Sequence, residues 1–196
     1  MMRAYIIPLL ISLSIVIVAH KAMEAPKYLM YTLPNLPTPI GKEKVLITSA
    51  GQDPDGFIVQ RMAQELHLSA DYRPTALASD LYDYQTVVLV VGYSPNGLKT
   101  TIRSLEEEKR RVKAICKQTK RRGIPLILLH LGGPGRLDEQ TMAFFREAAP
   151  YTHYLIGLRG ADYSGYLRQL AKRYGFSITL VQRIQDMKLP MNSVFR

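Results

Sequence analysis

Val45-Leu46-Ile47-Thr48-Ser49-Ala50-Gly51-Gln52-Asp53-Pro54-Asp55-Gly56 decides the fold. Its first six residues have the length and character of a buried strand, and the next six form a polar loop marked by glycine and proline. The pattern returns three times: VVLVVGYSPNG (Val87–Gly97), LILLHLGGPG (Leu126–Gly135) and YLIGLRGADYSG (Tyr154–Gly165). Continuous apolar strands without alternation are expected where helices cover both faces of a parallel sheet. Strands that all end in such loops bring those loops to one edge, where open α/β sheets bind ligands.

Outward from these strands, the sequence predicts strand 45–50, helix 56–67, a short strand near 70–73, strand 86–92, helix 104–122 and strand 125–131. Helix 139–149, strand 153–158, helix 163–174 and strand 177–182 follow, with a helical turn around Ser79–Tyr84. Alternating strands and helices specify a three-layer α/β/α fold, a mostly parallel, doubly wound sheet of five or six strands with flavodoxin-like order 2-1-3-4-5. In the long helix Leu105, Val112, Ile115, Cys116 and Thr119 share one face. Glu106, Glu107 and Glu108 open it and Lys120, Arg121 and Arg122 close it, which suits the macrodipole. Glu106–Arg110 and Glu107–Arg111 have ion-pair spacing. Gly123 is placed to end the helix, and Pro125 prevents continuation. The tail after Asp186 has no period and reads as a wrapping or frayed end.

The chain has 196 residues, 47% apolar and 21% charged, enough for one domain with an N-terminal appendage. Ala4–Ala19 is an apolar run flanked by Arg3, His20 and Lys21. It makes residues 1–22 a signal anchor or, if cleaved, a signal peptide. Residues 23–44 hold four prolines and read as a semi-rigid spacer, leaving 45–196 as a single α/β domain. The expected location is therefore extracytoplasmic, either tethered to a membrane through the N-terminal segment or secreted into a periplasm or medium. Cys116 is the single cysteine, which excludes an internal disulfide and any multi-cysteine metal site. The net charge of +10 is concentrated: residues 99–122 carry ten Lys/Arg against three acids.

The loops supply the candidates. The first offers Thr48, Ser49, Gly51 and Gln52, but Asp53 and Asp55 would repel a phosphate. It matches neither the dinucleotide nor the P-loop pattern, so no nucleotide or other cofactor is expected. Either aspartate could instead cap the first helix. The second loop offers Gly92, Ser94, Asn96 and Gly97, followed by Lys99 and Arg103. The third offers His130, Gly132, Gly133 and Arg136, with His130 the best acid/base candidate. The fourth offers Arg159 and Asp162, the latter or Ser164 also suited to capping a helix. Ser94, His130 and Asp162 are the candidate catalytic groups. A carboxylate–histidine metal set drawn from Asp53, Asp55 and His130 has no spacing to support it, and no metal is expected.

Thr48-Ser49-Ala50-Gly51-Gln52, Val90-Val91-Gly92 with Ser94, Asn96-Gly97-Leu98, and His130-Leu131-Gly132-Gly133 together resemble a family of bacterial exported proteins catalogued only as a domain of unknown function. The resemblance spans Lys44–Ile184. It implies an exported α/β domain and no particular activity. The chain departs from the family pattern at Lys99-Thr100-Thr101-Ile102 and at Gly135-Arg136-Leu137, both in the predicted site.

Three functions follow as expectations. The first is binding of a small ligand, anionic if Lys99, Arg103, Arg136 and Arg159 converge. The second is a hydrolase using His130 with a loop carboxylate. The third is an interaction module docking through the basic helix. Nucleic acid is disfavoured by the exported address, and nothing in the sequence sets the oligomeric state.

Overall fold

A computed structural model describes residues 35–196. The six strands are β1 (Val45–Ala50), β2 (Ala70–Tyr72), β3 (Thr86–Val91), β4 (Leu126–His130), β5 (Tyr154–Leu158) and β6 (Ser177–Val181). They pair in parallel throughout, in the order β2-β1-β3-β4-β5-β6. The expected order is present, with β6 added at the far edge. The expected anchor or signal peptide at 1–22 and most of the 23–44 spacer fall outside the described residues. Among those described, no helix is long and apolar enough to cross a membrane.

Side chains of each strand alternate between two cores. Leu46, Val87, Leu89, Leu126, Leu128 and Leu155 face one, and Val45, Ile47, Val88, Val90, Ile127 and Ile156 face the other. The first core is covered by α3 (Leu105–Arg122), α4 (Glu139–Ala148) and α5 (Tyr166–Tyr174), through residues such as Ile115, Phe144 and Leu167. The second is covered by α1 (Gly56–Glu65) and the C-terminal α6 (Lys188–Asn192), with Val59, Met62, Met191 and Val194. Fully burying one such side chain contributes about 1.5–3 kcal/mol, and both sheet faces receive it.

Local chemistry sets the ends of these elements. Ser104 and Glu107 form a capping box at the start of α3, and Gly123 closes it at φ 62°. Glu107 is therefore used at the cap and does not pair with Arg111, and Glu106 pairs with Lys109 instead of Arg110. Helix α5 starts at Tyr166, three residues later than expected, because Gly165 sits at φ 74°. Asp162 still serves that helix, accepting the Leu167 N–H at 2.7 Å and ion-pairing with Arg168.

Residues 36–42 and the C-terminal segment are stitched to one another and to the start of β3. Leu36 N–H donates to Ser193 Oγ, and Ile40 and Gly41 N–H groups donate to the Val194 carbonyl. Lys42 exchanges two hydrogen bonds with Thr86 Oγ1 at the start of β3. The tail thus wraps, with Pro190, Met191 and Val194 buried, and does not fray.

Candidate functional site

The chain runs from β1 outward to β2, then returns to build β3 on the other side of β1. The loops after β1 and β3 therefore part at the switch point of the sheet, where a crevice is expected. A cleft of about 480 Å³ lies there. Gln52, Asp53, Pro54 and Phe57 from the β1–α1 connection, Tyr72 and Pro74 from the end of β2, and Ser94, Asn96, Gly97 and Thr100 from the β3 side line it.

The β3 side is a short helix, α2 (Pro95–Thr100), where the sequence reads as a loop. Ser94 accepts the Gly97 N–H at 3.0 Å and Pro95 occupies the first helical position, two signals that start a helix. The two loops are zipped together beneath the cleft. Asp53 N–H donates to the Gly92 carbonyl at 3.1 Å and Ser94 N–H to the Gly51 carbonyl at 2.8 Å. The approach is so close that a Cβ on Gly51 would stand 2.5 Å from the Gly92 carbonyl oxygen, and one on Gly97 would overlap the Gln52 carbonyl oxygen. Gln52 takes φ 61°, unusual for a non-glycine residue. Its side chain fixes it there, with Nε2 donating to Glu108 Oε1 at 2.8 Å and to the Pro74 carbonyl at 3.1 Å.

Below this lies a polar centre the sequence did not reveal. Glu108 and Arg111 of α3 form a fully buried ion pair, with Nη2 to Oε1 at 2.6 Å and Nε to Oε2 at 2.8 Å. Arg111 also donates to the Ala76 and Ser49 carbonyls, and Gly51 N–H donates to Glu108. Burial pushes the Glu108 carboxyl up, but the Arg111 bonds and charge, with Gln52 and the Gly51 amide, outweigh it and hold the group below the usual glutamate range. The sequence reads Glu108 as part of the acidic helix start and Arg111 as a partner of Glu107, and points to no buried pair. The clue available in the sequence was the i,i+3 spacing of Glu108 and Arg111 on the Val112–Ile115 side.

The other candidates divide. Gln52, Ser94, Asn96 and Gly97 line the cleft. Thr48 and Ser49 are buried behind it, bonded to the Pro74 carbonyl and to the Tyr72 hydroxyl. Gly51 and Gly92 serve the backbone contact. Arg136 reaches from the β4–α4 loop to ion-pair with Asp53, whose other oxygen accepts the Asp55 N–H at 3.1 Å. Asp55 stands at the start of α1 without a side-chain cap bond. Its burial and the neighbouring Asp53 charge push its carboxyl up to about 6.

His130 is 1% exposed. Its Nδ1–H donates to the Val91 carbonyl at 2.7 Å, which fixes the tautomer and leaves Nε2 as an acceptor. Nε2 is buried with no partner, and the ring meets Phe145 edge-on. Burial keeps the imidazole below the usual histidine range. Among the described residues no carboxylate bonds His130, Ser94 is engaged as a cap, and Asp162 is held by Leu167 and Arg168, so Ser94, His130 and Asp162 are not joined as a triad. Gly132 lets the Arg136 stem and the His130 ring approach each other, since a Cβ there would stand 2.6 Å from one and 2.7 Å from the other. Gly133 is partly exposed with open space around its Cα, and Arg159 lies beyond β5, outside the cleft lining. The lining residues missed in the sequence are chiefly Phe57 and Tyr72, whose rings meet edge-to-face at 5.0 Å.

The chain belongs to the DUF6305 family, a domain of unknown function whose model matches residues 42–195. This is the kind of family the loop residues resemble. No curated protein matches the sequence. Among solved structures, two mutants of the esterase AlinE4 are similar at 13% identity, over 71% of this chain and 76% of theirs, with a TM-score of 0.29. That likeness is too slight to bear on chemistry.

Proposed function

We propose that the domain binds a small, uncharged polar ligand in the cleft between the β1 and β3 loops. The observation that carries this reading is the composition of a preformed cleft at the switch point. An aromatic wall of Phe57 and Tyr72 faces a polar wall of Ser94, Asn96 and Thr100, and among the described residues no lysine or arginine lines it. Pockets that hold small molecules combine apolar surface with a few fixed polar groups in this way, within about 300–1,000 Å³. The lining argues for a neutral ligand over the anion expected from Lys99, Arg103, Arg136 and Arg159. The zipped loops and the Glu108–Arg111 pair hold the floor rigid, which lowers the ordering cost of binding. An extracytoplasmic setting, through an N-terminal anchor or signal peptide, remains part of the proposal.

A thermal-shift screen of the purified protein against chemically mixed small molecules tests the reading. Ligands that raise Tm should lose their effect in Thr100→Trp, which places a large ring in the cleft from an exposed position. A screen without any shift, or shifts that all survive Thr100→Trp, would remove the cleft as the binding site. A second role for α3 as a docking face is favoured by one observation: Arg110, Lys117, Lys120 and Arg121 are exposed on it without a carboxylate partner among the described residues.

A further inference from the structure

We infer that the ligand of this cleft is a carbohydrate, a conclusion that rests on the binding role proposed above and specifies it. The hydrogen-bonding capacities left open at the cleft point to this class. Asp53 is at the cleft but both its oxygens are engaged, one by Arg136 and one by the Asp55 N–H. Its charge is thus neutralised inside the protein, and it offers no free anion to an ammonium group. A phosphate or carboxylate ligand meets no lysine or arginine among the described lining residues. Charged ligands of either sign are therefore disfavoured.

The open groups are those that match hydroxyls. Ser94 Oγ accepts from Gly97 N–H, so its own proton is available to donate. Thr100 Oγ1 donates to the Gly97 carbonyl, so its lone pairs are available to accept. Asn96 is exposed and its amide offers both donors and an acceptor. A sugar hydroxyl donates and accepts at once, and this set of a donor, an acceptor and a bifunctional amide suits it.

The aromatic wall favours the same class. Phe57 stays 63% exposed in the first turn of α1 although one edge of the pair is covered by Tyr72, so apolar ring surface is left open at the cleft. Tyr72 is held by its hydroxyl against Ser49 and stands at 72° to Phe57. Two rings in an edge-to-face pair leave no parallel slot for a flat heteroaromatic ligand. They present instead an angled apolar surface against which the C–H face of a puckered sugar ring can pack while its hydroxyl rim meets Ser94, Asn96 and Thr100.

Saturation-transfer NMR on the full chain, with glucose, N-acetylglucosamine, maltose and chitobiose as probes and AMP and spermidine as comparators, tests the inference. At least one sugar should be saturated, most strongly through the C–H protons of one face, and its signal should fall fivefold or more in both Phe57→Ala and Asn96→Ala. Both residues are exposed, so neither variant disturbs the core; unchanged amide spectra verify this. Saturation of AMP or spermidine alone would overturn the carbohydrate class while leaving a ligand-binding cleft. A sugar signal that persists in both variants would overturn the inference and the cleft reading together. Silence from every probe overturns the carbohydrate class, and the cleft reading then stands or falls by the Thr100→Trp screen.

Discussion

Arg111 uses all of its guanidinium nitrogens inside the protein, binding Glu108, the Ala76 carbonyl and the Ser49 carbonyl. It therefore ties α3 to the loop that forms the cleft floor. Removing one member of a buried pair leaves an uncompensated charge, which costs about 3–5 kcal/mol. Arg111→Met should lower the unfolding free energy measured in urea by that amount, and Glu108→Leu combined with Arg111→Met should recover part of the loss. If the double variant is no better than the single one, the loss comes from packing and not from the stranded carboxylate. Asp55 gives a prediction of opposite sign. Its carboxyl is pushed up to about 6, so between its unfolded value near 3.8 and 6 the folded chain holds a proton that the unfolded chain releases. Stability contributed by this group is thus full at acid pH and lost as pH rises through about 6. Asp55→Asn should leave unfolding free energy unchanged near pH ~3 and raise it by about 1–2 kcal/mol above pH ~7, after allowance for its partial exposure. A difference that shrinks as pH rises would contradict the assignment.

Helix α3 shows what could and could not be read from the chain at the scale of elements. Its span, its Gly123 stop and its Val112–Ile115–Cys116 face follow from periodicity and end signals, and the structure has them. The strands were legible for the same reason, since apolar runs of six residues have few other places to go. What periodicity missed are features created by neighbours distant in sequence. Glu108 is buried because Gly51 and Gln52 come to it, and Tyr72 faces Phe57 only once β2 is laid beside β1. Of the candidate site, the glycine loops were found and the aromatic wall was not. The outer face of α3 carries its own prediction. If it docks on an anionic bilayer, at about 1 kcal/mol for each basic residue near the surface, vesicles rich in phosphatidylserine should sediment the protein at low salt. Replacing Lys117, Lys120 and Arg121 with glutamine should then weaken binding by more than tenfold. Equal sedimentation of the variant, or binding indifferent to salt, would leave α3 as a solvated surface.

For the molecule as a whole, the relation between the chain's N-terminal approach and the cleft is the consequential one. Residues 36–43 meet the starts of the strands: Lys42 bonds Thr86, and the Glu43 carboxylate accepts the Ser69 N–H and ion-pairs with Arg196. The cleft sits at the opposite ends of β1 and β3. Six residues of strand separate the two edges, roughly 20 Å. A domain held through residues 36–43 would therefore present its cleft at the opposite edge of the sheet. Attachment chemistry can test this on one protein. Cys116 is fully buried, and burial pushes its thiol up to about 12, so it does not compete for a surface-directed reagent. Immobilised by its N-terminus, the protein should bind whichever sugar passes the NMR test with an affinity within about twofold of that in solution. Immobilised instead through Thr100→Cys at the cleft rim, it should lose that binding. Equal affinity in the two orientations would place the ligand away from the β1–β3 edge. Loss on N-terminal attachment alone would overturn the placement of the ligand at the Thr100 rim.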